Sequence, residues 1–213
     1  MRNKRNLYII GASNFGREIE SWLGLIPFEN REWEFKGFLH TYKDVSPLAG
    51  YLSDFYILGN WEDFPLTKKD YCLIAVADCI WKEKIYNHLK DKTTFFTYIA
   101  PNAIIGKFNV IEDGSIVCPG CIVTTSVRLG KCTILNIGSK IGHDTQIGNF
   151  SSVMASVDIG GGVNIGEKVF IGTKATIIPK IEIENNSTIG AGSVVIKKVK
   201  TGTTVFGNPA KQI

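Results

Sequence analysis

Every sixth residue from Ile99 to Val195 is Ile, Leu or Val, and the phase never slips. The series runs through Ile105, Ile111, Val117, Val123, Leu129, Leu135, Ile141 and Ile147. It continues through Val153, Ile159, Ile165, Ile171, Ile177, Ile183 and Ile189, which makes seventeen hexads. Four residues beyond each aliphatic the side chain is small or β-branched almost throughout, as at Ser115, Thr133, Ser139, Ser151, Val163 and Ala175. Glycine recurs one residue after the aliphatic, at Gly106, Gly130, Gly142, Gly148, Gly160, Gly166, Gly172 and Gly190. A fixed six-residue period held this long specifies a parallel β-helix whose triangular coil takes about 18 residues, so that 99–200 makes about 5.7 coils. The aliphatic fills the interior, the small residue packs beside it, and glycine, Asn or Asp serves the tight corners. Residues one coil apart then lie above one another at the strand spacing of about 4.8 Å.

The period is absent before Tyr98, so a chain of 213 residues divides into an expected N-terminal domain, 1–98, and a β-helix domain with a short tail, 99–213. The net charge of +4 is scattered, without a run of one sign, which argues against nucleic acid as a partner. Five cysteines, an odd number, in a sequence without a recognisable signal peptide lead us to expect a reducing cytosol. Cys118 and Cys121 form a CxxC, but both sit on regular hexad positions and no second pair stands beside them; packing explains them better than zinc. No apolar run approaches the roughly 20 residues of a membrane span, and no membrane association is expected.

In the N-terminal part, Asn6–Ile10 is a short apolar run that ends in Gly11-Ala12-Ser13-Asn14-Phe15-Gly16, and Arg17–Leu25 reads as a helix. Further strands are expected at Glu34–Leu39, around Tyr56–Leu58, at Tyr71–Val76 and at Thr94–Tyr98, with a helix at Ile80–Lys90 and a loop over 40–55 that turns at Ser46-Pro47. Strands alternating with helices predict a small parallel α/β sheet of Rossmann-like type. The glycine turn lacks the middle glycine of a dinucleotide fingerprint (Ser13 stands there), and His40 and Thr41 occupy the end of the second strand where an acidic residue would be needed. Hydride transfer is therefore disfavoured. Two readings of the turn stay open: phosphates of a smaller nucleotide held at the helix N-terminus, or an ordinary strand–helix turn.

Three histidines are present, His40, His88 and His143. His88 falls in a helix as a plain surface or core residue. His143 falls at an outward position of the solenoid and is followed by Asp144, a carboxylate able to fix the imidazole tautomer and raise its basicity, as a general base requires. One coil above it stands Gly161, whose small size admits a ligand and whose N–H suits a developing oxyanion. A β-helix zinc hydratase needs several histidine ligands, and this solenoid has one. Asp78, after the fourth strand, is a further candidate for lining the cleft of the glycine turn.

Taken together, the N-terminal Rossmann-like GASNFGREI at 11–19, a hexad array carrying Asn136, Ile141-Gly142-His143-Asp144 and Ile147-Gly148-Asn149-Phe150-Ser151, and the terminal Gly207-Asn208-Pro209-Ala210-Lys211 resemble the sugar O/N-acetyltransferase family over the whole chain. That family includes sialic acid O-acetyltransferases and PglD-like and perosamine-type N-acetyltransferases of nucleotide-linked 4-amino sugars. The resemblance implies a left-handed β-helix, against the usual crossover rule, with acetyl-CoA as co-substrate and no metal. It implies His143 as the base and Asp144 as the acid that raises its basicity. Nucleotide-sugar contacts fall on Gly11, Ser13, Asn14, Phe15, His40, Thr41 and Asn136, and acetyl-CoA contacts near Ser152, Gly161, Thr173 and Ala191. Phe15 and Ser152 replace histidines frequent in relatives, and His40 and Thr41 replace acidic residues, which leaves the sugar and nucleotide open.

The expectation is thus an acetyl-CoA-dependent N-acetyltransferase acting on a nucleotide-linked amino sugar for surface glycan synthesis. O-acetylation of a sialic acid or another sugar is the alternative, and a non-catalytic binding or assembly module the second. A homotrimer is also expected, because three triangular solenoids close around a three-fold axis and because the resembling enzymes hold acetyl-CoA between neighbouring solenoids.

Overall fold

The computed structural model describes residues 4–40 and 57–213. It divides into two compact units, Met1–Ala77 with Trp81–Phe96, and Asp78–Ile80 with Thr97–Ile213. In the first unit β1 (Arg5–Ile10) lies between β2 (Trp33–Leu39) and β4 (Tyr71–Ile74), with β3 (Ile57–Gly59) and β5 (Thr94–Phe95) at the edges. All neighbours run parallel. Leu7, Ile9, Ile10, Leu73 and Ile74 are buried, as the central strands of a parallel sheet covered on both faces must be. Helices α1 (Asn14–Leu23) and α2 (Cys79–Leu89) and a 3-10 turn, Phe28–Asn30, complete it. The expected Rossmann-like unit therefore holds at the coarser level of a parallel α/β sheet. Among the described residues two α-helices serve five strands, fewer than a doubly wound sheet carries.

Two of the boundaries that differ from expectation have local reasons. Helix α1 starts at Asn14 rather than Arg17, because Gly16 has no Cβ to strike the Gly11 carbonyl and the first turn can close directly on β1. The expected strand Thr94–Tyr98 is two strands. Phe96 N–H still bonds the Cys72 carbonyl of the first sheet, whereas Tyr98 N–H bonds Ser115 of the solenoid. Thr41, Tyr56, the Ser46-Pro47 turn and the rest of the expected 40–55 loop except His40 lie outside the described residues.

From Tyr98–Ile99 to Val194–Val195 the second unit is a parallel β-solenoid of seventeen two-residue strands among the described residues, dealt in turn to three sheets. Each strand pairs with the one 18 residues away, as Lys140 does with both Ile122 and Asp158. The hexad aliphatics form the interior: from Val117 to Val195 they are at most 4% exposed. Ile99, at 38%, has no coil below it. Ser115, Ser139, Thr145, Ser151 and Ser193 are fully buried beside them. Buried hydroxyls need partners: Ser115, Ser139, Thr145 and Ser151 donate to carbonyls of the next coil, for example Ser151 to Gly166 at 2.9 Å, and Ser193 accepts from the Gly207 N–H at 3.1 Å.

The corners turn at a position other than the glycine one. The left-handed residue is the third after each aliphatic, where Phe108, Ser126, Cys132, Asp144, Phe150, Ser156, Lys168, Lys174, Lys180 and Asn186 all have φ between 52° and 63°. The glycines one residue after the aliphatic do something else. A Cβ on Gly148 would sit 2.5 Å from the Gly166 carbonyl carbon and 2.6 Å from Glu167 N. These glycines let one coil settle onto the next. The 18-residue register ends at β23 (Thr204–Phe206), where Thr188 pairs with Thr204; β24 (Lys211–Gln212) then folds back antiparallel.

Candidate active site

The strand Lys140–Ile141 leads into Gly142-His143-Asp144. Gly142 is one of the settling glycines, since a Cβ there would lie 2.5 Å from Gly161 N and 2.6 Å from the Gly160 carbonyl carbon. Asp144 takes the left-handed corner with φ 59°, a conformation Asp tolerates better than most residues, and its N–H bonds the Thr125 carbonyl at 3.1 Å. That turn brings its carboxylate back to its own neighbour, with His143 Nδ1 2.8 Å from Asp144 Oδ2. An ionised carboxylate only accepts, so the proton sits on Nδ1 and the lone pair of Nε2 is left for a ligand. Both side chains are 66% exposed.

The imidazole lies over Gly161, one coil on: a Cβ at Gly161 would be 2.5 Å from Nε2 and 2.7 Å from Cε1. What the missing side chain admits here is the His143 ring itself. Among the described residues the Gly161 N–H has no acceptor within the chain. A base with an available lone pair thus stands beside a free N–H donor, the pair needed to take a proton from a nucleophile and to bind the oxyanion that its attack creates.

The expected coenzyme contacts divide. Thr173 and Ala191 are exposed and stacked on the corner that also carries Ala155 and Ile137, which is a different corner from that of His143 and Gly161. The N–H groups of Ala155, Thr173 and Ala191 have no acceptor within the chain among the described residues. At the remaining corner the equivalent donors of Lys131 and Glu167 are taken by the Oδ1 atoms of Asn149 and Asn185. Ser152 does not fit a contact with a ligand: it is fully buried. Asn136 does not join His143 either. It is 8% exposed, and its Oδ1 accepts the Ile137 N–H at 2.7 Å, a bond that closes its own corner.

In the first unit Gly11, Ser13, Phe15 and His40 do come together, lining a cavity of about 290 Å³ with Trp61 and Trp81. Gly11 has φ 109° and abuts the Ala75 carbonyl, a place where a side chain would be strained. Ser13 is the N-cap of α1, yet its hydroxyl makes no cap bond and stays available. His40 Nδ1 accepts from Ala12 N–H at 3.5 Å, and burial pushes its pKa down, which disfavours the charged ring. Asn14 is outside the lining, its Oδ1 receiving Arg17 at 2.5 Å. Asp78 is outside it too, because its carboxylate caps α2 through the Ile80 N–H at 2.9 Å. Sequence reasoning missed Trp61 and Trp81. They stand far from the glycine turn in sequence, on separate elements, so no local signal pointed to them.

Cys118 and Cys121 are fully buried, and burial pushes the Cys121 thiol up to about 11, leaving it a neutral packing group 3.1 Å from the Asn136 carbonyl. Among the described residues no group of three or more His, Cys, Asp or Glu is placed to hold a metal.

Residues 162–197 match the family model described as bacterial transferase hexapeptide (six repeats). Over 98% of this chain and 96% of the relative, the chain is 28% identical to the GDP-perosamine N-acetyltransferase of Escherichia coli O157:H7. Among solved structures, the acetyltransferase domain of PglB from Neisseria gonorrhoeae FA1090 superposes with a TM-score of 0.84 at 24% identity, over 99% of this chain and all of that one. PerB from Caulobacter crescentus, solved in complex with CoA and GDP-perosamine, gives 0.83 at 20% identity over 98% and 97% of the two chains. Residues 162–197 thus carry the hexapeptide repeat of bacterial transferases, and over nearly its whole length the chain is similar in sequence to GDP-perosamine N-acetyltransferase and in fold to the PglB acetyltransferase domain and PerB.

Proposed function

We propose that this chain transfers the acetyl group of acetyl-CoA to the amine of a nucleotide-linked 4-amino sugar, in surface glycan synthesis in the cytoplasm. The observation that carries the reading is the 2.8 Å bond from His143 Nδ1 to Asp144, which leaves Nε2 open beside the free Gly161 N–H. Nε2 takes a proton from the sugar nitrogen as that nitrogen attacks the thioester carbonyl. Asp144 stabilises the imidazolium, and the Gly161 N–H bonds the oxyanion. When the tetrahedral intermediate collapses, the imidazolium returns its proton to the departing thiolate of CoA. Holding both substrates supplies much of the rate, and base catalysis about 10²–10⁴-fold more.

Ligand roles are assigned by unit. The first, read as a reduced Rossmann-like domain, takes the nucleotide sugar in the cavity of Ser13, Phe15 and His40. The aromatic rings there suit a nucleobase, and the Ser13 hydroxyl with the α1 N-terminus suits a phosphate. The solenoid, read as left-handed, takes acetyl-CoA along the open N–H column of Ala155, Thr173 and Ala191. His143 lies on another corner, so one solenoid cannot bring base and coenzyme together. A homotrimer with parallel solenoids supplies the neighbour's corner.

The deciding experiment is a mass-spectrometric screen of nucleotide-linked amino sugars, GDP-perosamine first, with acetyl-CoA and the purified chain. An acetylated amine supports the reading. Binding of acetyl-CoA without transfer to any amine or hydroxyl overturns it in favour of a non-catalytic module. Sedimentation at assay concentration tests the assembly, and an active monomer of 23.5 kDa would refute the shared site.

A further inference from the structure

The ring of His143 has two neighbours that fix where Nε2 points, and one of them is a glycine. We infer that Gly161 is a positioning residue: the absence of its side chain is the seat on which the imidazole rests while Asp144 holds the other edge. The inference deepens the reading of His143 as base and rests on it. A Cβ at Gly161 would come within 2.5 Å of Nε2, 2.7 Å of Cε1 and 3.0 Å of Cδ2. That is three atoms of one ring face, so the ring cannot escape by a small rotation in its own plane. It must lift, and lifting moves Nδ1 away from a carboxylate that backbone geometry holds at the Asp144 corner.

The backbone gives no reason of its own for glycine here. Gly161 does not have the positive φ that Gly162, at 67°, has. Thr125, one coil below His143, carries a side chain at the equivalent place, as does His143 itself. The settling contact between these coils belongs to Gly142 and Gly160. Glycine at 161 is explained by the ring above all.

Gly161→Ala separates this role from that of the N–H donor, because alanine keeps the N–H and adds the Cβ. A displacement near 1 Å at a catalytic group costs on the order of 10²-fold. The expected result is a kcat lower by about that factor with the KM for acetyl-CoA nearly unchanged, and a ¹⁵N spectrum in which the His143 ring no longer holds its proton on Nδ1 alone. A fall in acetyl-CoA affinity with the tautomer intact would show that the glycine clears space for the ligand, and would overturn the inference. So would unchanged kinetics and spectrum.

A double-mutant cycle needs no substrate and keeps the test independent of the proposed reaction. Gly161→Ala should lower the melting temperature in the presence of His143 and lower it less in the His143→Ala background, where the clash is gone. Equal losses in both backgrounds place the strain in the backbone and refute the seat. If the cycle shows the coupling but no transfer activity exists in the wild type, the reaction is wrong and the seat stands.

Discussion

Asp144→Asn tests how much the carboxylate contributes beyond holding a tautomer. Asparagine preserves size and tolerates the left-handed corner at φ 59° as aspartate does, so the turn survives. Alanine would add the strain of a left-handed non-glycine residue, about 1–2 kcal/mol, and confuse the result. The amide oxygen can still accept from Nδ1, so what is lost is the charge that stabilises the imidazolium. Two considerations set the size. A hydrogen bond to a charged group contributes about 1.5–3 kcal/mol when it is shielded, whereas exposed ion pairs contribute about 0.2–1 kcal/mol. Both side chains are 66% exposed, so water screens the free enzyme and the lower range applies, with a modest gain when a ligand covers the pair. About 1–2 kcal/mol corresponds to a kcat lower by roughly five- to thirty-fold. Release of the coenzyme thiol from acetyl-CoA, followed with the acceptor identified by the screen, measures it. A loss as large as that of removing the imidazole would mean the carboxylate acts directly on the reacting atoms. No loss would mean that no imidazolium forms in the limiting step, and His143 would not be the base.

His143→Ala should lower kcat by about 10²-fold or more while leaving the circular dichroism spectrum unchanged, because the ring is exposed and among the described residues hydrogen-bonds only Asp144; a fully active variant refutes the mechanism. Gly142→Ala places a Cβ 2.5–2.6 Å from backbone of the next coil, and overpacking of about 1–3 kcal/mol should lower the melting temperature by several degrees; an unchanged melt would show that the coil spacing is soft. Bonds from Lys198 and then from Thr201 hold the Glu184 carboxyl down at about 2. A folded-state pKa below the unfolded one contributes stability above pH 4.5 that is lost as pH falls toward 2. The protection factor of the Thr201 amide, which donates to Glu184 at 2.9 Å, should therefore fall over that window in the wild type and show no such fall in Glu184→Gln.

The solenoid was legible because its interior reports on itself. A side chain at hexad position one touches the same position of the coils above and below, so a single period writes the core, and Val117 through Val195 follow it without a gap. The His143–Asp144 pair was legible for a simpler reason, that its members are sequence neighbours at one corner. The left-handed positions were not. Glycine marks them at Gly114, Gly120, Gly138, Gly162 and Gly192, but elsewhere Lys, Phe, Ser, Cys, Asn and Asp take the left-handed φ. The more regular glycines, one residue past the aliphatic, reflect clearance between coils, a long-range contact with no local sign. In the first unit the strand–glycine–helix start was readable from Ile10 to Gly16. The cavity beside it was not, because Trp61 and Trp81 reach it from separate elements.

Ser152 shows what a solenoid sequence can still yield when read by rows. It is the outward residue of its strand, and taken alone a serine there suggests a surface contact. Its row, one residue from each coil of the same sheet, is Tyr98, Ile116, Ile134, Ser152, Phe170 and Thr188, of which the first four are at most 1% exposed. The outward row of another sheet is Val110, Arg128, Gln146, Asn164 and Glu182, all exposed. Leaving apolar side chains in water costs about 25 cal/mol per Å², so the aromatic and aliphatic row-mates before Ser152 announce that this part of the row is covered, and the serine is covered with them; Phe170 and Thr188 beyond it are half-buried. Exposure on a stacked sheet is therefore a property of the row before it is a property of the residue. The same rule separates the open corner of Thr173 and Ala191 from the corner closed by Asn149 and Asn185, whose side chains occupy the donors of the coil before them. A ligand that needs backbone N–H groups can use the first corner and is refused by the second.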